Sequence, residues 1–313
     1  MSAQSQPSVA ADVAVEQSRY EAEFPAVGRR WVPVKDDLAN ALTCDVEDYF
    51  QVSAFEHLVP KSAWGEHECR IPRNVDRALQ LYDDADVKGT FFTLGWVAEH
   101  FPEVVRRIAD AGHEVASHGM QHVRVWDQNA EDFRADISRT KKLLEDVTGQ
   151  PVLGYRAASW SLDRRTPWAH QIMAEEGYRY SSSIYPIAHD HYGLPDAPVW
   201  PFYVRGCGLL EIPASAPRLL GRNLPAAGGG YFRLLPLAVS RWLVNRVRNA
   251  NRIPAIFYFH PWELDPDQPR MPGITLKTRF RHYLNLHRFE GRLVRLLKEL
   301  PWDRMDKIYL EAV

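Results

Sequence analysis

The chain has 313 residues, 45% of them hydrophobic, which is enough for one large domain with a sizeable core or for two medium-sized ones. Its formal net charge of −2 argues against nucleic acid or a membrane surface as the main partner, because either would favour a strongly basic face. The three cysteines, Cys44, Cys69 and Cys207, show no repeated spacing and predict neither a disulfide framework nor a zinc ribbon.

The first 35 residues differ from the rest of the chain. Residues 1–17 are polar and alanine-rich and lack the apolar core of a signal peptide, and no apolar run approaches the ~20 residues of a transmembrane helix. These features predict a cytoplasmic protein without a transmembrane segment. Residues 1–35 have no clear periodicity and predict a flexible N-terminal arm, either a free tail or an arm that wraps its own barrel or reaches a partner, whereas residues 36–313 are expected to form the globular domain.

From residue 36 onward, strand-like and helix-like segments alternate. The predicted strands are at 40–44, 89–94, 113–117, 152–157 and 253–259. The predicted helices are at 74–82, 102–111, 131–148, 166–176, 236–250 and 289–300. This alternation predicts an α/β fold with a parallel sheet.

Chemically active side chains recur where the predicted strands end, at Asp45, His118, Arg156 and His260. In a β/α barrel this is the rim on which active sites lie. A doubly wound open sheet would instead need a glycine-rich phosphate turn after its first strand. Residues 45–48 (DVED) occupy that position and would repel phosphate, so the pattern favours the barrel.

Two histidines, His118 and His122, are four residues apart, which predicts that both imidazoles lie on one face of a helical turn and bind one metal ion. The acidic cluster at 45–48 lies upstream, and His260 follows a strongly β-like run. Two histidines, one carboxylate and an open coordination position are typical of a catalytic metal site and not of a closed structural one.

The aromatic share of the chain is 12%, and it is compatible with core filling or with stacking on sugar rings. Tyr231, Trp160 and Trp262 are the candidates for sugar stacking. Gly228, Gly229 and Gly230 precede a predicted helix but lack the spacing and lysine of a phosphate loop, which favours a mobile loop or a tight backbone approach.

Four motifs, in this order, resemble the polysaccharide deacetylases of carbohydrate esterase family 4: residues 43–52 (TCDVEDYFQV), 117–122 (SHGMQH), 154–157 (GYRA) and 259–264 (FHPWEL). Three further segments are similar to the branch of that family found in exopolysaccharide and holdfast gene clusters: 189–198 (HDHYGLPDAP), 228–233 (GGGYFR) and 280–283 (FRHY). The resemblance implies a distorted (β/α) barrel of the NodB-like type. It also implies a divalent metal, usually zinc, and the removal of acetyl groups from N-acetylated sugars.

The resemblance carries roles to individual positions. Asp45 matches the catalytic base, and His260 matches the catalytic acid. His118 and His122 match the two metal-binding histidines. Arg156 matches the arginine that holds the carboxylate of the base.

The third metal ligand is open between two carboxylates. Strand alternation puts Glu47 on the same side as Asp45 and favours Glu47, whereas a turn after Val46 would give the role to Asp48. Imidazole and carboxylate donors suit zinc first, but cobalt, nickel and iron are also compatible with them.

Two positions depart from the family pattern, which usually has a proline at Ala158 and an aspartate at Ser181. Three functions are compatible with these observations. The first is an N-deacetylase acting on an exopolysaccharide or its lipid-linked precursor, through which the protein would contact the inner membrane. The others are a small-molecule amidohydrolase of the same fold and a glycan-binding protein with impaired catalysis. The patterns carry no information on oligomeric state.

Overall fold

A sheet of mostly parallel strands forms the centre of the fold, of which the computed structural model describes residues 26–33 and 39–311. In chain order the strands are β1 (Val27–Arg30), β2 (Asn40–Val46), β3 (Thr90–Thr93), β4 (Glu114–Ser117), β5 (Gly154–Tyr155), β6 (Tyr180–Ser181), β7 (Phe202–Val204), β8 (Leu210–Glu211), β9 (Arg218–Leu219), β10 (Arg222–Asn223), β11 (Ile256–Phe259) and β12 (Trp302–Asp303). They pair in the order β1-β7-β8-β6-β5-β4-β3-β2-β11, with β12 beside β2 and with β9 and β10 in a separate hairpin. All residues of β2, β3, β4 and β11 are buried, as expected for parallel strands covered on both faces.

Helices and short turns cover the sheet. The helices are α1 (Ile71–Asp84), α2 (Gly95–His100), α3 (Pro102–Asp110), α4 (Ala130–Thr148), α5 (Ala169–Glu175), α6 (Gly229–Leu234), α7 (Leu237–Asn251), α8 (Leu276–Tyr283), α9 (Leu286–Glu299) and α10 (Met305–Tyr309). Single 3-10 turns occur at Ser53–Phe55, Lys61–Glu66, Val125–Asp127, Ala158–Trp160 and Pro261–Leu264.

The longest helix, α4, shows how local sequence sets these bounds. The side chain of Asn129 accepts a hydrogen bond from the backbone N–H of Asp132 and caps the first turn. Phe133 and Ile137 are fully buried on one face, and Gly149, with φ +66°, ends the helix in the left-handed conformation.

The predicted α/β fold is confirmed, although some predicted elements are shorter in the structure. Only Gly154–Tyr155 of the strand predicted at 152–157 pairs in the sheet, because the N–H of Val152 donates to Glu145 Oε1 instead. The helix predicted at 166–176 begins at Ala169, since a turn closed by Thr166 N–H and the carbonyl of Asp163 precedes it.

The sheet curves towards closure through an irregular segment that follows β8. The N–H of Tyr258 in β11 donates to the carbonyl of Ala227 at 2.7 Å, and the N–H of Ile256 donates to Ser215 Oγ at 2.7 Å. Ala226 in turn donates to the carbonyl of Ser215. These bonds connect β11 to the far side of the sheet, as in a distorted barrel.

The segment predicted to be a flexible arm contains a strand. Val27–Arg30 form β1, which pairs antiparallel with β7. The Trp31 side chain is buried, and its Nε1 donates to the carbonyl of Tyr309 at 3.2 Å. Of the two interpretations of this segment, residues 27–31 fit the wrapping arm and not the free tail, because they gain a sheet partner and an apolar contact. The rest of that arm, residues 1–25 and 34–35, lies outside the described residues.

Adjacent parallel strands bring the candidate residues to one rim. Asp45 lies near the carboxyl end of β2, and His118, Arg156 and His260 directly follow β4, β5 and β11. Within the described part of the chain, no helix is long and apolar enough to cross a membrane.

Candidate active site

A cavity of about 460 Å³ opens at the carboxyl ends of the strands. Eight of the residues predicted from the sequence line it: Asp45, Glu47, His118, His122, Trp160, Tyr231, His260 and Trp262. Two others, Asp48 and Arg156, do not line it.

Three of these side chains could share a metal ion. One donor atom from each of Glu47, His118 and His122 lies within 4.8 Å of the others. Glu47 Oε2 is buried and lacks a hydrogen-bond partner, although it lies 3.0 Å from His122 Nε2. A buried carboxylate oxygen without a donor is costly, and a bound cation would satisfy it.

The protonation states of His118 and Glu47 are compatible with metal binding. His118 Nδ1 lies 2.8 Å from the carbonyl of Arg156, to which it donates, so its Nε2 is the nitrogen left for a metal. Burial lowers the pKa of His118 to about 4, which keeps its ring neutral near pH 7. Burial opposes the charge of Glu47, but the imidazoles of His122 and His260 outweigh it and lower the Glu47 pKa to about 2.

The prediction that His118 and His122 lie on a helical turn was wrong. Residues 118–124 form a loop, in which Gly119 has a φ of +75° and His122 a φ of +52°. These left-handed conformations break any helical repeat and curl the chain instead. The two rings still meet, with centroids 5.3 Å apart, because the loop folds back on itself.

Asp136 on α4 supports this loop. Its Oδ1 accepts the N–H of Met120 at 3.1 Å, and a Cβ added to Gly119 would lie 3.0 Å from the same oxygen. Burial raises the pKa of Asp136 to about 6 in the folded protein, above the value of 3.8 usual for an aspartate. The folded state therefore favours the protonated carboxyl, so this residue's contribution to stability is lost as pH rises from about 4 to about 6.

Replacement of Asp136 with asparagine should remove this pH dependence, because the amide oxygen can still accept from Met120 but does not titrate. Relative to Asp136→Asn, the wild-type free energy of unfolding should fall by on the order of 1–3 kcal/mol between pH 4.5 and pH 7. Urea unfolding at both pH values measures this, with Asp146→Asn on the exposed face of α4 as the control. A difference between wild type and Asp136→Asn that is constant with pH would contradict the expectation.

Asp48 has a different environment from Glu47. Its Oδ2 accepts the N–H groups of Arg70 at 2.6 Å and Ile71 at 3.2 Å, and its Oδ1 accepts the N–H of Tyr49 at 2.8 Å. These contacts place its carboxylate at the N-terminus of α1, where it satisfies free backbone donors. Asp48 therefore lies outside the group of possible metal ligands, and Glu47 is the carboxylate within it.

Asp45 is held in a buried ion pair. Arg156 Nη1 lies 2.6 Å from Asp45 Oδ1 and also donates to Thr43 Oγ1 at 2.9 Å. Arg156 is fully buried, and its Nε donates to the carbonyl of Ser182. Its guanidinium carbon lies 3.9 Å from the centre of the Phe92 ring. The arginine thus fixes the carboxylate on one side and leaves the other side facing the cavity.

The two departures from the family pattern lie behind this arginine. Ala158 begins the 3-10 turn Ala158–Trp160, which is separated from Arg156 only by Ala157. Ser181 Oγ donates to Ser183 Oγ, which accepts the N–H of Ala157 at 2.9 Å. Ser181 therefore braces the same loop through hydroxyl groups and not through a charge.

His260 faces the group from the other side of the cavity. Its Nε2 lies 3.5 Å from Glu47 Oε1, and its Nδ1 lies 3.1 Å from Glu263 Oε2. Burial favours the neutral ring, but the carboxylates of Glu47 and Glu263 raise the pKa of His260 to about 9. A cation held by Glu47 would oppose part of this rise, whereas Glu263 would continue to favour the protonated form that an acid requires.

The three candidate aromatic residues differ in exposure. Trp262 is 5% exposed and stacks on His260 and His282, with ring centroids 5.2 and 4.2 Å apart. Trp160 is 5% exposed and packs against Tyr258. Tyr231 is half-buried at the cavity wall. Of the three, Tyr231 has the surface most accessible to a sugar ring.

Sequence reasoning missed the residues that lie behind His260. Glu263 is fully buried and pairs with Arg233, whose Nε lies 2.7 Å from Glu263 Oε1. It also missed a group of ion pairs at the cavity, in which Lys277 and Arg281 of α8 both contact Asp190. The spacing of Glu263 three residues after His260 is a signal that could have indicated the contact between these two side chains.

Two family models match consecutive parts of the chain after residue 64. A model of the polysaccharide deacetylase family matches residues 65–181, and a domain of unknown function (DUF3473) matches residues 182–310. The chain carries a polysaccharide deacetylase domain. His118, His122 and Arg156 lie in the deacetylase segment, and His260 lies in the segment of unknown function.

Curated relatives of this deacetylase domain bear related names. A peptidoglycan deacetylase of Helicobacter pylori is 29% identical over 110 residues, covering 35% of this chain and 36% of its own length. A chitooligosaccharide deacetylase of Azorhizobium caulinodans is 27% identical over 192 residues, covering 53% of this chain and 87% of its own length. The chain thus spans about a third of the length of the first of these relatives.

A solved structure shares the fold. A Mycobacterium smegmatis protein provisionally classed as a polysaccharide deacetylase superposes with a TM-score of 0.57 at 20% identity, over 91% of this chain and 94% of that one. This likeness concerns the fold alone and supports the α/β fold predicted from the sequence.

Proposed function

We propose that the protein is a metal-dependent hydrolase that removes N-acetyl groups from amino sugars of an exopolysaccharide or of its lipid-linked precursor. The observation that carries the proposal is the convergence in one cavity of the Glu47, His118 and His122 group with Asp45 and His260. The deacetylase domain and relatives named for peptidoglycan and chitooligosaccharide support the choice of an N-acetylated glycan.

The residues present fit a divalent metal. Two imidazoles and one carboxylate suit zinc, and cobalt, nickel or iron accept the same donors. Glu47, His118 and His122 would hold the ion. When bound, such an ion lowers the pKa of a coordinated water from ~15.7 to about 7 and polarises the acetyl carbonyl.

The residues of the chain supply the proton transfers. Asp45, held by Arg156, would accept a proton from the water as the water oxygen attacks the carbonyl carbon of the acetyl group. The C–N bond then breaks, and His260 would give its proton to the departing sugar nitrogen. The products are acetate and an amino sugar.

The shape of the cavity is compatible with a polymer. It is open at the rim, where Tyr231 offers an aromatic surface and Phe280 of α8 is 57% exposed. Sugar rings stack on such surfaces. We therefore propose that Tyr231 contacts the sugar that carries the acetyl group or its neighbour, while Trp160 and Trp262 contact the glycan only at the edges that line the cavity.

Acetate release from chitooligosaccharides, compared with release of acid or amine from small cyclic amides, tests the proposed function. We expect acetate from the oligosaccharides and no reaction with the cyclic amides. The reverse pattern would identify a small-molecule amidohydrolase of the same fold. Binding of oligosaccharides without acetate release by the metal-loaded protein would identify a glycan-binding protein with impaired catalysis.

A further inference from the structure

A carboxylate lies directly behind the imidazole of His260. Glu263 Oε2 accepts the backbone N–H of His260 at 3.0 Å and lies 3.1 Å from the Nδ1 of the same residue. Since a carboxylate can only accept, Nδ1 carries the proton of this contact. The other ring nitrogen, Nε2, is thereby directed into the cavity, where it lies 3.5 Å from Glu47 Oε1.

Glu263 is itself fixed by an arginine. Arg233 is 2% exposed, and its Nε donates to Glu263 Oε1 at 2.7 Å. Its Nη1 donates to the carbonyls of His282 and Leu284, and its Nη2 donates to the carbonyl of Arg281. These carbonyls accept hydrogen bonds from the other two guanidinium nitrogens. The arginine is therefore fixed at the end of α8.

The glycine run before Arg233 makes room for this arrangement. A Cβ at Gly229 would lie 2.1 Å from Glu263 Oε2, and a Cβ at Gly228 would lie 2.7 Å from the Tyr258 hydroxyl. No side chain larger than hydrogen fits at Gly229 without displacing the carboxylate. The close backbone approach, one of two interpretations of this run from its sequence, is therefore the one the structure shows at these two positions.

We propose that Glu263, held by Arg233 and seated against Gly229, is a positioning residue that orients the imidazole of His260 for proton transfer. The inference rests on the proposed function. It gives part of the segment matched only to a domain of unknown function a role in the deacetylase site, because Gly229, Arg233, His260 and Glu263 all lie within residues 182–310.

A purely structural role for Glu263 is the alternative, since its carboxylate also caps the 3-10 turn Pro261–Leu264 through the N–H of His260. Glu263→Gln separates the two. Its amide oxygen can serve His260 or Arg233, but its amide nitrogen then faces a donor on the other side. We expect kcat to fall by about 10–100-fold, with KM within about twofold and one equivalent of zinc still bound. A lower melting temperature with unchanged kcat per folded molecule would overturn the proposal.

Gly229→Ala tests the same carboxylate without removing any hydrogen-bonding group. Alanine favours a helix more than glycine does, so a loss of kcat could not come from helix propensity at the start of α6. Gly291→Ala in α9 is the matched control, because no atom lies within 4 Å of its added Cβ. We expect a fall in kcat for Gly229→Ala and wild-type kcat for Gly291→Ala.

A compensating change sharpens this result. In the Gly229→Ala protein, Glu263→Asp shortens the side chain and withdraws the carboxylate from the added methyl group. The double variant should be no slower than the slower single variant, as expected for two positions that act through one contact. Losses that multiply would show independent effects and overturn the steric link.

The NMR resonance of the His260 imidazole proton tests this inference independently of the proposed function. With ¹⁵N-labelled histidine, the Nδ1 proton of His260, assigned by its absence in His260→Gln, should resonate far downfield because it is hydrogen-bonded to a carboxylate. The resonance should be lost in Glu263→Gln and shifted in Gly229→Ala. If it is unchanged in both variants, the proposal fails even in an active enzyme. If it behaves as expected in a protein that releases no acetate, the proposed function fails and the orientation of His260 by Glu263 stands.

Discussion

Replacement of Asp45 with asparagine should lower kcat by about 10³-fold, because a general base typically contributes 10²- to 10⁴-fold and the amide cannot accept the proton of water. Asparagine is nearly isosteric with aspartate, and its side-chain oxygen can still accept a hydrogen bond from Arg156 Nη1, which lies 2.6 Å from Asp45 Oδ1 in the wild type. Metal binding should persist at one equivalent, since Asp45 is not in the group of Glu47, His118 and His122. Acetate release and metal content, measured on the same preparation, check both expectations.

Stability must be followed in this variant. Arg156 is fully buried, and loss of its charged partner leaves an uncompensated guanidinium that can cost several kcal/mol. Thr43 Oγ1 and the carbonyl of Ser182 remain as acceptors and should retain the fold. A folded Asp45→Asn protein with full activity would exclude Asp45 as the base.

The second large effect concerns the carboxylate ligand. Glu47→Gln should weaken zinc binding by more than the 10–100-fold typical of residues that merely orient ligands, and activity should be lost with the metal. Asp48→Asn is the matched variant one residue away. It should bind zinc as the wild type does but unfold more readily, by about 1–2 kcal/mol, because its amide nitrogen would face backbone N–H groups that a carboxylate oxygen of Asp48 accepts in the wild type.

Equilibrium dialysis against zinc and urea unfolding distinguish the two positions. The structure predicts that Glu47→Gln changes mainly the metal affinity and that Asp48→Asn changes mainly the stability. The opposite assignment, with zinc lost from Asp48→Asn and kept by Glu47→Gln, would move the ligand to Asp48 and contradict the geometry described above.

The sequence was sufficient to predict the rim of the sheet. Asp45, His118, Arg156 and His260 each follow or end a run of buried apolar residues, and parallel strands must bring such ends together. The α/β fold and the order of the predicted strands and helices needed only hydrophobic periodicity and helix-ending residues, whereas short elements such as Tyr180–Ser181 and Leu210–Glu211 were not predicted. Those signals lie within short stretches of sequence, so secondary structure can be predicted from them without knowledge of tertiary contacts.

The backbone between the metal-binding residues could not be predicted in this way. Spacing alone put His118 and His122 on a helix, but Gly119 and the contact of Asp136 with Met120 impose a loop. The turn after Val46, shown by the Glu47 N–H bonded to the carbonyl of Asp45, was expected to favour Asp48. The turn does not make Asp48 a metal ligand, because the Asp48 carboxylate accepts the N–H groups at the start of α1 instead.

The support behind His260 depends on distant parts of the chain. Glu263 and Arg233 are 30 residues apart in sequence, and the carbonyls that hold Arg233 come from the end of α8. Neither contact leaves a periodic pattern. The glycines at 228 and 229 carried the only local sign of close packing, and their meaning became clear only with Tyr258 and Glu263 in place.

Acetate release from N-acetylglucosamine oligomers, by wild-type protein stripped of metal and then reloaded, tests the central claim most directly. The site described here predicts no release by the stripped protein and recovery with one equivalent of zinc or cobalt, bound by Glu47, His118 and His122. Release that continues at full rate without metal, or a wild-type protein that binds no divalent metal, would contradict the account.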